Sequence, residues 1–134
     1  MKAEDHLRNI KESLEVIEES IQKGIKERQR NIGFNSSVAS VEMLEVLLHK
    51  NNLIDPGAML KHEWFSSIRR VNERLPFNFP EKEKIIELII DIEDKRNLLC
   101  YGKLQSEETI KSVLYSFNQL KDILNKLGVN VTWN

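Results

Sequence analysis

The amino-acid sequence predicts an all-α fold, an antiparallel up-and-down bundle of four to five helices, and three observations carry that prediction. Apolar residues recur at spacings of three and four along nearly the whole chain, which is the period of an amphipathic helix. Five glycines and three prolines among 134 residues leave little turn material, so the elements must be long. No strand-period alternation appears before the short tail VNVTWN, and there are no internal repeats or low-complexity segments. A chain of this length forms one domain, residues 1–134, with a core that needs no staples.

The elements follow in order. Leu7, Ile10, Leu14, Ile17 and Ile21 form a narrow apolar stripe on a long first helix, with acids on its outer faces and Gly24 weakening its far end. RQRNIG at 28–33 reads as a basic joint where the chain turns. A second helix is expected from about Gly33 to Lys50, where Ser36, Ser37, Ala39 and Ser40 would let another helix approach closely. Asp55-Pro56 is a start signal for a third helix ending before Pro76. Pro80, Glu81 and Glu83 open a fourth helix, and IIELIIDI makes it apolar nearly all round, as expected of the central element. Gly102 is expected to end it in a left-handed conformation. Ser106 caps a fifth helix that runs to Gly128, and the tail after it is expected to be extended.

Composition excludes several classes of function. A net charge of −1 gives no global basic footprint for duplex nucleic acid. The single Cys100 rules out an intrachain disulfide framework and fits a reducing cytoplasm. MKAEDHLRNIKESLE carries acids where a secretory leader needs an apolar run, and IIELII is too short to span a bilayer. A cytoplasmic protein with no membrane association is expected. His6, His49 and His62 lack metal-ligand spacing, and neither a glycine-rich phosphate cradle nor a nucleophile elbow is present. No metal and no cofactor are therefore expected.

Two charged stretches remain. Arg69 and Arg70 belong to a polar run on the expected third helix, ordinarily a solvated face. With Arg28, Arg30 and Lys61 they could form a local phosphate-binding patch. Glu93 and Asp94 point about 100° apart on a helix, so they are no catalytic dyad. Glu93 is expected to support Arg96 or Asn97 from one turn earlier.

RNLLCYGK at 96–103 is the most distinctive stretch. Leu98 and Leu99 belong to the core pattern, whereas Arg96, Asn97 and Tyr101 do not. By spacing alone they are a cationic residue and polar neighbours near the negative end of a helix dipole. The five-helix layout, the second helix SSVASVEMLEVLLHK and RNLLCYGK together resemble the HEPN superfamily. The family signature is an arginine, a polar residue and a histidine four to six positions on. Arg96 and Asn97 match it, and the histidine position falls on Tyr101.

The resemblance implies binding of RNA or a nucleotide at Arg96, Asn97 and Tyr101; Lys103, and Arg69 and Arg70 of the charged run, are the further candidate binding residues. It implies a partnership with a small nucleotidyltransferase in a toxin–antitoxin-type pair. Some members also carry a tyrosine two residues after the histidine, and that slot is Lys103 here. Arg96 and Tyr101 are the candidate catalytic residues, although a tyrosine hydroxyl is protonated at neutral pH and is a poor base. A catalytically degenerate or weak site is the first expectation. A metal-independent ribonuclease, with Tyr101 or His62 in the histidine's role, is the second, and a purely structural interaction bundle the third. A homodimer is expected, because the first and fourth helices present more apolar surface than one small bundle covers. Its seam is expected near Arg96.

Overall fold

The computed structural model describes residues 3–130, and these form an all-helical up-and-down bundle. Its elements are α1 (Ala3–Lys23), α2 (Gln29–Lys50), a 3-10 turn (His62–Ser66), α3 (Ile68–Arg74), α4 (Lys82–Tyr101) and α5 (Glu107–Lys126). Contacts at the helix ends fix the directions. His6 of α1 meets Glu42 and Glu45 late in α2, so these helices are antiparallel. Leu99 near the end of α4 packs with Ile32 near the start of α2, and Lys50 Nζ reaches the Gly128 carbonyl beyond α5 at 2.8 Å. No described helix is long and apolar enough to cross a membrane.

Gly24 ends α1 with a φ of +124°, a conformation that costs glycine little. The reversal is finished by Arg28, so α2 begins at Gln29, ahead of the expected Gly33. RQRNIG is thus the first turn of a helix rather than the joint itself.

The centre of the bundle is α2, whereas the sequence pointed to α4. Fourteen of the 22 residues of α2 are buried, against seven of the 20 in α4. Ser36, Ser37, Ala39 and Ser40 supply the reason, since small side chains let α2 be enclosed from several sides. The second half of α4 carries Asp94, Lys95, Arg96 and Asn97, which keep that part of the helix at the surface. The main core unites Ile10, Leu14, Leu44, Leu47, Ile89 and Phe117, while Ile32, Leu99, Ile110 and Val113 form a smaller cluster under the α4–α5 connection.

The expected third helix is largely absent. Asp55-Pro56 makes a turn, closed by the Ala58 amide on the Asp55 carbonyl at 2.9 Å. The extended backbone of Ser67 then separates the 3-10 turn from α3, whose Arg70 amide donates to Ser67 Oγ. Buried Glu45 of α2 draws in the Leu60 amide, which holds this segment down as a non-helical strap. Gly102 is extended (φ −98°, ψ −173°) rather than left-handed. Ser106 caps α5 by accepting from the Thr109 amide at 3.2 Å, and Gly128 (φ +98°) follows it, as expected. Val129 is buried, and the rest of the tail from 131 lies outside the described residues.

Candidate functional site

The last two turns of α4 lie on the first two of α2, and the reason is steric. A Cβ at Gly33 would sit 2.7 Å from Leu99 Cβ, so only glycine permits this approach. Gln29 completes the junction. Its buried amide donates to the Leu99 and Lys103 carbonyls at 3.2 Å each and accepts from the Gln105 amide at 2.8 Å. With Leu99 and Cys100 turned inward, Asn97 and Tyr101 are left exposed and Arg96 is largely buried between them and α2. Burial pushes the Cys100 thiol up, with Arg96 and Arg30 pulling the other way, so it is a protonated, inert group.

Arg96 is the hub of a polar cluster. Its guanidinium carbon lies 5.6 Å from the centre of the Phe34 ring, a cation–π distance. Its Nη1 is 3.9 Å from Glu93 Oε2, which is the support expected from one turn earlier. Glu93 does more than that. Its other oxygen accepts from Ser37 Oγ and lies 2.8 Å from His62 Nδ1. A proton on Nδ1, donated to Glu93, leaves Nε2 as the acceptor. The His62 side chain is 34% exposed. Arg96 Nε is buried with no hydrogen-bond partner among the described residues.

Beside this cluster, between the α1–α2 turn and the end of α4, lies a cavity of about 610 Å³. Lys26, Arg28 and Arg30 supply three cations, Glu27 one acid, and Phe34 and Tyr101 two aromatic rings. Phe34 is therefore shared: one side of its surroundings is Arg96, the other the cavity.

The sequence-predicted residues separate into two groups. Arg96 and Tyr101 both border this region, yet α4 is helical through Tyr101, which sets their side chains about 140° apart within one chain. Tyr101 is 75% exposed, and Asn97 and Lys103 are exposed as well. Arg69 and Arg70 are exposed on α3, where Arg69 Nε pairs with Glu73 at 3.3 Å, and neither lines the cavity. Sequence reasoning missed Phe34 and Gln29 and gave Ser37 only a packing role. An exposed phenylalanine among basic residues at 28–34 was the available signal for the first.

A second buried polar cluster lies at the other end of α2. His6 is 2% exposed, with Nδ1 3.2 Å from Glu42 and Nε2 3.1 Å from Glu45, and the His49 ring stacks on it at 6.1 Å. Only the Nδ1–Glu42 contact is a hydrogen bond; Nε2, though close to Glu45, is buried with no hydrogen-bond partner among the described residues. Burial raises the Glu42 carboxyl, against the opposing pull of His6. Among the described residues no group of three or more His, Cys, Asp or Glu side chains is arranged to hold a metal ion. No protein-family model matches the chain, and neither a curated protein nor a solved structure is found to be similar to it.

Proposed function

We propose that the chain is a HEPN-like protein that binds RNA or a nucleotide at the end of α4, as a cytoplasmic homodimer working with a small nucleotidyltransferase in a toxin–antitoxin-type pair. The observation that supports the binding reading is the cavity itself. Three cations and two aromatic rings converge on a space of about 610 Å³, with Arg96 stacked behind one of the rings. Cations neutralise phosphate and aromatic faces stack on bases, which is the composition that single-stranded nucleic acid requires. Tyr101 is a binding residue here: its exposed ring can stack or donate, and it has no base beside it.

Arg96→Ala should weaken binding of a short RNA or of ATP by about 1.5–3 kcal/mol. Tyr101→Phe should lose less, because stacking survives. Tyr101→His should raise RNA cleavage from background. Binding that is equal in all three variants and wild type would leave the structural-bundle reading.

One observation favours the ribonuclease as a second reading. His62 Nδ1 lies 2.8 Å from Glu93, which also contacts Arg96, and the tautomer with its proton on Nδ1 would leave Nε2 free to accept. Nε2 would take the 2′-hydroxyl proton, the 2′-oxygen would attack the adjacent phosphorus, and the 5′-oxygen would leave with a returned proton. Arg96 would offset the charge that builds on the phosphoryl oxygens. RNA cleavage by wild type that is lost in His62→Ala, with binding intact, would select this reading over the first.

A further inference from the structure

α1 and α5 lie on either side of α2 without closing on each other. A trough of about 590 Å³ remains between the second half of α1 and the middle of α5. Its inner surface is apolar: Leu14, Ile17 and Phe117 are core residues whose edges line it, and Ile21 is 43% exposed. Its α1 lip is acidic, with Glu15, Glu18 and Glu19, and the opposite lip carries Asn118 and Lys121. Glu19 is paired with Lys23 at 2.7 Å and Glu18 accepts from Gln22, while no described ion pair engages Glu15.

We propose that this trough is a docking site for a partner helix bearing an apolar stripe and, along the flank that faces α1, lysines or arginines. The length fits. The lining of α1 runs from Leu14 to Gln22, about 13 Å of helix, which matches two to three turns of an occupant. An amphipathic helix entering such a groove places side chains at i, i+3 or i+4, and i+7 on the floor. Its affinity comes from covering Ile21 and the edges of Leu14 and Phe117, and its orientation from the acidic lip. The charge on that lip also argues against a second copy presenting its own α1, which would set carboxylate against carboxylate.

The probe is a labelled synthetic amphipathic peptide of about four turns, with leucines on one face and lysines on the other. Two controls accompany it: a scrambled peptide of equal composition, and a version with glutamate in place of lysine. Fluorescence anisotropy at physiological salt should show saturable binding of the basic helix to the intact chain. The scrambled peptide should bind about tenfold more weakly, as should the basic helix to the E15K/E18K variant. The same variant should bind the acidic peptide better than wild type does. These substitutions sit on an exposed lip, and an unchanged melting temperature would verify that the fold survives them. Should the variant unfold, E15Q/E18Q gives the same comparison with a smaller expected loss. Equal binding of the ordered and scrambled peptides, or indifference to the Glu15 and Glu18 substitutions, would overturn the proposal. So would self-association of wild type that Ile21→Asp abolishes, since the trough would then be occupied by a second copy.

Discussion

His62 Nδ1 and Glu93 Oε1 are 2.8 Å apart, tying the 3-10 turn to α4 across 31 positions of sequence. The same oxygen accepts from fully buried Ser37 of α2, so one carboxylate joins three elements. Glu93→Ala leaves the Ser37 hydroxyl without its acceptor and should destabilise the fold by about 1–3 kcal/mol. Glu93→Gln keeps an acceptor oxygen and should lose less. Urea denaturation checks both, and an unchanged midpoint for the alanine variant would show that this junction contributes nothing to stability.

Gly33 should be intolerant of any side chain. Alanine in a helix interior gains up to about 1 kcal/mol over glycine. Against this, the new Cβ would lie 2.7 Å from Leu99 Cβ and 3.3 Å from Cys100 Sγ, and overpacking of this kind costs about 1–3 kcal/mol. Gly33→Ala should therefore lower the melting temperature and Gly33→Leu should lower it further. Gly57→Ala, where nothing lies within 4 Å of the added atom, is the control and should change little.

Gln29 holds the α4–α5 connection by three hydrogen bonds. Gln29→Leu keeps bulk but strands the Leu99 carbonyl and the Gln105 amide, at a cost of about 1–3 kcal/mol. Its specific signature is local: exchange of the Gln105 amide should quicken more than that of amides in α2. If both respond equally, the residue supports the whole bundle rather than the connection.

The raised carboxyl of Glu42 makes stability depend on pH in a defined direction. A group that binds its proton more tightly when folded stabilises the fold below its unfolded value, here 4.5, and loses that contribution as pH rises through the higher folded value. Relative to Glu42→Gln, wild type should thus lose stability as pH rises above 4.5. Thermal melts of both proteins across that range measure the difference, and parallel curves would contradict it.

Much of the bundle was legible because helical signals are local: the Ser106 cap of α5 and its terminal Gly128 both stand as expected. The segment from Asp55 to Ser66 was misjudged, since a good helix-start dipeptide cannot reveal that Glu45 will draw in the Leu60 amide. Centrality of α2 was hidden for a similar reason. Serines count as polar in a pattern, yet Ser36, Ser37 and Ser40 are wholly buried, with Ser37 and Ser40 hydrogen-bonded to Glu93 and the Ser36 carbonyl. At the candidate site, the link from Glu93 to Arg96 was local enough to read. Ser37 and His62 reach Glu93 only through tertiary folding, and Phe34 comes under Arg96 the same way.

α1 rests chiefly on α2, whereas α2, α4 and α5 all pack on one another. Separation of α1, as an arm, would leave that trio's mutual packing in place, though it would take Ile10, Leu14 and Ile17 out of the core they share with Leu44, Ile89 and Phe117. Opening of the arm below the free energy of global unfolding would show as faster amide exchange in α1 than in α2. The His6 cluster is the clasp at the arm's free end. The proton that burial favours on Glu42 would then bear on how often the arm lifts, and with it how long the inner face of α2 meets solvent.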